Sequence, residues 1–367
     1  MRKPMGRRSA HEIRSFASQP PLPMTARPSG RPQSVIALDV MGGDDAPRAI
    51  VAGALKAVEA GRRHPLKPEQ ILLVGDEAIV RSELAALGGD PGFPIQHAGQ
   101  VIGMDEKPGV ALRQKPDASI VRCVEAVKRG RAGAVVGMGN TGACVGAATL
   151  GLGLLEGVRR PGIAVTMDLS GKPLTVIDMG ANVVPKPEHL LQYAQMGTIY
   201  GQSVLGLPSV RVGLLNIGEE EGKGTDLTKA AFDLLQAGGL NFVGNVEPKE
   251  MLAGKADLIV TDGFTGNVVL KLMESLAQLL MGMFGQELAA QGASFAKASL
   301  GKMAKRLDYS EYGGALLLGV QGIVVIGHGR SDATAVANAL VVAARGLDSG
   351  VNDQIVRGLT SGQAAKG

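Results

Sequence analysis

Along the chain, a short run of β-branched and other apolar residues repeatedly gives way to a Gly/Asp/Asn loop and then to a helical stretch. Residues 35–39 lead through Met41-Gly42-Gly43-Asp44-Asp45 into a helix with Pro47 near its first position, where a missing N–H costs nothing. Residues 134–136 are followed by Gly137-Met138-Gly139-Asn140-Thr141-Gly142, and residues 175–177 by Asp178-Met179-Gly180-Ala181-Asn182. Residues 210–215 lead through Asn216-Ile217-Gly218 to Gly224, with Thr225 or Asp226 as the helix cap. Residues 258–261 lead through Asp262-Gly263-Phe264-Thr265-Gly266-Asn267. Residues 323–326 lead through Gly327-His328-Gly329-Arg330-Ser331 to a helix ending at Arg345. Six such units predict an α/β fold with a doubly wound, mostly parallel sheet and helices on both faces. Ligands of such sheets bind outside the carboxyl ends of the strands, so the polar loops are expected to converge.

One segment changes period. From Asn267, the apolar residues Val269, Leu272, Met273, Leu276, Leu279, Leu280 and Met283 form a helical stripe. A second helix follows with Phe295, Leu300, Met303 and Leu307, and it carries Lys297, Lys302, Lys305 and Arg306. The pattern predicts a helical hairpin over residues 267–308, inserted between sheet units. It is read as a core-facing pair, a dimer contact or a membrane-facing element.

Composition narrows the classes. The 367 residues include 53 Gly but only 7 Phe, 4 Tyr and no Trp, which suits tight strand-to-helix loops and not a base-stacking nucleic-acid binder. Of the formal net charge of +4, residues 1–32 contribute +6, so the remainder carries −2. A near-neutral body argues against bulk nucleic-acid binding. Residues 1–33 are rich in Pro and Arg with no apolar run, and are expected to be a disordered basic extension rather than a signal peptide, leaving 34–367 as one α/β domain. Cys123 and Cys144 form no metal or disulfide framework and the five histidines are scattered, so no metal site is expected and a reducing cytosol is.

The individual motifs leave alternatives open. Gly137-x-Gly139-x-x-Gly142 fits a dinucleotide fingerprint, with Asp168 as the ribose carboxylate, and on that reading the chain is a dinucleotide-dependent dehydrogenase. It equally fits a helix N-terminus that holds a compact anion, with Asn140 and Thr141 as added donors. The run from Gly218 to Thr225 resembles a Walker A loop but is one residue short, and three adjacent glutamates would repel a triphosphate. Asp39, Asp44, Asp178 and Asp262 at strand ends either cap loop amides or face a ligand. His328 is either structural or a site residue.

Taken in order, Ala37-Leu38-Asp39-Val40-Met41-Gly42-Gly43-Asp44, Gly139-Asn140-Thr141-Gly142-Ala143, Asp178-Met179-Gly180-Ala181-Asn182, Asn216-Ile217-Gly218-Glu219-Glu220, Asp262-Gly263-Phe264-Thr265-Gly266-Asn267, and Tyr309-Ser310-Glu311-Tyr312-Gly313-Gly314 followed by His328-Gly329 resemble the phosphate acyltransferases of bacterial phospholipid synthesis. The resemblance covers residues 35–347. It implies an isocitrate/isopropylmalate-dehydrogenase-like α/β/α fold and a homodimer. It also implies a cytoplasmic protein peripherally associated with the inner membrane, beside a membrane glycerol-phosphate acyltransferase. The implied reaction moves a fatty acyl group from acyl-carrier protein to inorganic phosphate, giving acyl phosphate, without a cofactor. Phosphate is already anionic and the leaving thiol is acidic, so positioning and oxyanion stabilisation suffice. Asn182, Lys186 and Asn216 are the expected catalytic residues, with Lys186 as the phosphate cation. Gly139, Asn140, Thr141, Gly142, Asp178, Asp262, Gly263, Gly266, Asn267 and His328 are the expected substrate contacts.

Overall fold

The computed structural model describes residues 34–60, 64–168, 171–290 and 313–364. The basic extension, the second arm of the hairpin and Tyr309–Tyr312 therefore lie outside the described residues. The strands are β1 (Ile36–Asp39), β2 (Ile71–Gly75), β3 (Ile95–His97), β4 (Ala134–Gly137), β5 (Gly162–Asp168), β6 (Pro173–Ile177), β7 (Val212–Leu215), β8 (Phe242–Val246), β9 (Leu258–Val260), β10 (Ala315–Leu318) and β11 (Ile323–Ile326). The helices are α1 (Arg48–Val58), α2 (Glu77–Ala86), α3 (Pro108–Gln114), α4 (Ser119–Lys128), α5 (Thr141–Leu152), α6 (Pro187–Ser203), α7 (Asp226–Gln236), α8 (Pro248–Leu252), α9 (Gly263–Ala290), α10 (Ala333–Ser349) and α11 (Val351–Ala364).

All eleven strands form one sheet in the order β3-β2-β1-β4-β11-β10-β5-β6-β9-β7-β8. Strand side chains alternate between two cores: Ile36 and Leu38 face one, Ala37 the other. The first core is closed by α1, α2, α6, α7, α10 and α11, the second by α3, α4, α5 and α8. Helix α1 lies so close on α10 that Gly53 touches Val336, leaving no room for a side chain at position 53.

The six predicted strands are all present, and the sheet is wound on both faces as the periodicity requires. Its direction is not uniform, however. β10 is antiparallel to β11 and to β5, and β5 is antiparallel to β6. As a consequence β1, β2, β3, β4 and β11 run one way, while β6, β7, β8 and β9 run the other. The loops after β1, β4 and β11 leave one edge of the sheet. Those after β6, β7 and β9 leave the opposite edge. The expected convergence of all six loops is thus corrected to two separate crevices.

Each crevice is a point where the winding changes face. β1 leads to α1 on the first face and its neighbour β4 to α5 on the second. β6 leads to α6 on the first face and its neighbour β9 to α9, whose Val269, Leu270 and Met273 pack on the second. Divergence of neighbouring helices opens a gap at the strand ends. The hairpin's first arm begins at Gly263, not Asn267, because Asp262 caps it: its carboxylate accepts from Thr265 N at 2.8 Å and from Thr265 Oγ1 at 2.7 Å.

Candidate functional site

The first crevice is built by close backbone approach. A Cβ on Gly42 would sit 3.0 Å from Gly139 Cα and 2.8 Å from Asp39 Oδ2, so the β1 and β4 loops cross only because both carry glycine. Asp44 N donates to Gly329 O at 2.8 Å, and Gly327 N to Gly137 O at 2.9 Å, which ties the β11 loop to the other two. Asn140 caps α5, accepting from Ala143 N at 3.1 Å. Its Nδ2 donates to Met104 O at 2.9 Å and Glu106 O at 3.0 Å, drawing the 103–106 loop to the crevice. Asn140 is therefore a latch whose amide is spent on the protein itself.

That cap leaves the backbone N–H groups of Thr141 and Gly142 without an acceptor among the described residues, and both residues are exposed. Two oriented donors at a helix start attract an anion. Arg330 stands exposed in the β11 loop with no ion pair among the described residues. Its backbone N donates to His328 Nδ1 at 3.2 Å, so His328 shapes the loop that carries the guanidinium. Arg330 was legible as the one cation in Gly327-His328-Gly329-Arg330-Ser331, a signal the glycines overshadowed.

Asp39 is buried beneath the crossing. Burial pushes its carboxyl up to about 6, against hydrogen bonds from Ser119, Met41 and Gly42 that favour the charged form. Burial also raises the thiols of the neighbouring Cys123 and Cys144, with the Asp39 charge adding to it.

The second crevice is organised by Asp178, which is fully buried. Its Oδ1 accepts from Ile163 N at 2.9 Å, Gly180 N at 3.1 Å and Ala181 N at 2.9 Å, and its Oδ2 from Asn182 N at 2.7 Å. Burial raises its carboxyl, against these backbone bonds. Asp178, an expected substrate contact, thus has its oxygens engaged by three amides of its own loop and by Ile163 N of β5. Asn182, an expected catalytic residue, is also bonded within the protein. Its Nδ2 donates to Pro161 O at 2.5 Å and Tyr193 Oη at 2.8 Å. Asn216 donates to Lys223 O at 3.1 Å and so closes the β7 loop.

Gly263 N donates to Asn182 O at 2.9 Å, and Gly266 lies against the Asp178 carbonyl, so both glycines and the capping Asp262 pack the loops together. Asn267 is exposed beside Gly180. Lys186 is exposed just ahead of α6, where its backbone N donates to His189 Nδ1 at 3.0 Å. Burial holds His189 below the usual imidazole range, with Arg160, Arg159 and Lys186 adding to it against Glu188.

The structure thus brings Gly139, Asn140, Thr141, Gly142 and His328 together at one edge. Asp178, Asn182, Lys186, Asn216, Asp262, Gly263, Gly266 and Asn267 lie at the other. The dinucleotide arrangement is not formed. Asp168 ends β5, three strand spacings or about 14 Å from β4, and it accepts from Gly171 N at 2.5 Å.

Comparison with known proteins supplies the class. The chain is 46% identical over 321 residues to the phosphate acyltransferase of Moorella thermoacetica, spanning 86% of this chain and 93% of that one. It is 48% identical over 319 residues to the phosphate acyltransferase of Heliobacterium modesticaldum, spanning 85% and 93%. The chain belongs to the phosphate acyltransferase family. A family model described as a fatty acid synthesis protein matches residues 34–354, so the membership takes in both crevices. In fold, the chain is similar to a phosphotransacetylase from Streptococcus pyogenes, with a TM-score of 0.55 and 17% identity over 85% of this chain and 93% of that one. A phosphotransacetylase from Staphylococcus aureus gives a TM-score of 0.53 at 16% identity, over 84% and 93%. Members of the family are acyltransferases by name, and the dehydrogenase alternative is not favoured.

The buried carboxyl under the first crevice makes stability depend on pH. The folded protein holds the Asp39 proton more tightly than an unfolded aspartate with its ordinary value of 3.8. The group's favourable contribution is therefore complete below that value and is lost as pH rises to about 6, a change of about 3 kcal/mol. Asp39→Asn should gain on the wild type by that amount between pH 4 and pH 7, read as the difference between the two proteins' unfolding free energies. A difference that stays flat across this interval would contradict the assignment.

Proposed function

We propose that the chain moves a fatty acyl group from the thioester of acyl-carrier protein to inorganic phosphate, in the first crevice. The observation that carries this reading is the pair of α5 amides left without an acceptor among the described residues, with Arg330, exposed and in no ion pair among them, on the β11 loop tied to the same crevice. Phosphate sits over Thr141 and Gly142 with Arg330 on its outer oxygens. A phosphate oxygen attacks the thioester carbonyl, the C–S bond breaks, and the carrier leaves as a thiolate that takes a proton from water. Neither step calls for a histidine base or a strong acid, since phosphate is charged and the thiol is acidic at neutral pH.

The product is an amphiphile, and a membrane glycerol-phosphate acyltransferase is its natural consumer. This supports an enzyme that works at the inner membrane surface from the cytoplasm, and the family resemblance adds the homodimer. Helix α9 suits that place. Phe264, Val268, Leu272, Leu276, Leu279 and Met283 lie exposed along one face, while Lys271, Glu274 and Gln278 share another. Residues 263–288 are long and apolar enough to cross a membrane, but the one-sided pattern is that of a helix lying in the interface. The cations Lys297, Lys302, Lys305 and Arg306 fall outside the described residues.

Incubating the protein with acyl-carrier-protein thioester tests the reaction. Thioester loss and a hydroxylamine-trappable acyl phosphate should appear only with inorganic phosphate. Equal loss without phosphate would indicate a hydrolase. For the membrane role, Met283→Asp with Phe284→Asp should weaken sedimentation with anionic liposomes at least severalfold and spare turnover of the soluble carrier. Parallel loss of both properties would assign the helix face to folding or to a chain contact instead.

A further inference from the structure

We infer that residues 101–110 form the acyl-chain wall of the first crevice, with Met104 as the side chain that the first methylene groups of the substrate meet. The inference rests on the acyl-transfer reading above and names the part of that site which takes the lipid. Its starting point is covalent. Once the acyl carbon is joined to a phosphate oxygen, the chain begins only a few bonds from the phosphorus. The group that receives it therefore has to stand against the loops that hold the anion.

Two apolar side chains do so, and one segment carries both. Met104 lies against Gly329: a Cβ at position 329 would sit 2.7 Å from the Met104 methyl carbon and 3.1 Å from Asp44 Oδ1. Gly329 directly precedes Arg330, so the thioether is the apolar neighbour of the loop that carries the guanidinium. Pro108 lies against Gly142, where a Cβ would sit 2.6 Å from Pro108 Cγ. Gly142 is one of the two residues whose amides open α5. Leu112, one turn further along α3, closes on Gly146 in the same way, 2.7 Å from a Cβ built there, so α3 is seated on α5 through its glycines. Met104 is 40% exposed, in a rim whose other exposed residues include Asp44, Asp45, Asp105 and Arg330. Val101 and Val110 expose further apolar area on the same segment. Apolar surface set beside a few convergent polar groups is what an amphiphile requires.

The segment is fixed in place. The Asn140 amide holds its centre, at Met104 O and Glu106 O. Gly103 N donates to Glu106 Oε1 at 2.6 Å, and Lys115 Nζ donates to the same oxygen at 2.6 Å and to Val101 O at 2.8 Å. The Lys115 ammonium and the Gly103 amide keep the Glu106 carboxyl below its usual range, so the turn stays tied at neutral pH. Asn140 thus joins the two halves of the site. It caps the helix that holds the anion and, with its other atom, sets the wall beside it. Methionine suits such a wall, because an unbranched thioether adapts to a flexible chain.

Acetyl and hexadecanoyl thioesters of one carrier protein test the assignment, since the acetyl group has no methylene to place. Each methylene group removed from water is worth roughly fourfold, so losing contact with the first few should cost about tenfold or more. Met104→Gln, which keeps the length and loses the apolar surface, should lower the hexadecanoyl-over-acetyl ratio of kcat/KM by that amount and leave the KM for phosphate in place. Met104→Leu should keep most of the ratio. An unchanged ratio, or equal loss with both thioesters, overturns the proposal. Photolabelling of the wild type gives a readout independent of turnover and of how the variants fold. A hexadecanoyl thioester with a diazirine close to the carbonyl should label residues 101–110, read by peptide mass spectrometry. Labelling confined to α9 or to the Asp178–Asn182 loop overturns the proposal. Labelling of residues 101–110 without phosphate-dependent thioester loss would sink the acyl-transfer reading and leave the acyl-binding wall standing.

Discussion

The antiparallel pairing of β5 with β6, and of β10 with both β11 and β5, determines where everything else in this protein faces. A purely parallel sheet would send all its loops to one edge. Here the reversal turns four strands around, and each half of the sheet acquires its own change of winding face and its own crevice. The hydrophobic core is indifferent to this. Residues of period two fill both faces whichever way a strand runs, so the reversal costs little in burial while it redistributes the polar loops completely.

The two crevices then differ in how they spend their donors. A buried carboxylate needs hydrogen bonds, and Asp178 takes four backbone amides to satisfy that need. Its loop is rigid as a result, but has few N–H groups left for a ligand. Asn140 meets only one donor of α5, so two remain directed at solvent. Asp39 is the contrasting case. Burial outweighs its hydrogen bonds and leaves it close to neutral pH, beneath the site rather than in it.

Much of the fold was legible in the sequence. The six strand-to-helix units, the helical period from Asn267 and the cap at Thr225 were encoded locally, by apolar spacing and by side chains that compete for backbone amides, whereas Asn140 was read as a ligand donor and is the cap of α5. Strand direction was not, because β5 and β10 carry the same apolar signature whichever way they pair. The site was legible in kind but not in place. The asparagines and aspartates of the signature loops do bond to amides, but chiefly to those of their own protein. A sequence cannot show whether a donor is already taken. Arg330 stood in a Gly-rich motif that could be read, but only its position at the first crevice gives it meaning.

The account stands on phosphate being held over the first turn of α5, and a crystal structure of the protein with inorganic phosphate bound would test this most directly. It should show the anion within hydrogen-bond reach of the Thr141 and Gly142 amides and of the Arg330 guanidinium. Phosphate bound instead on the Asp178–Asn182 loop, away from α5, would contradict it.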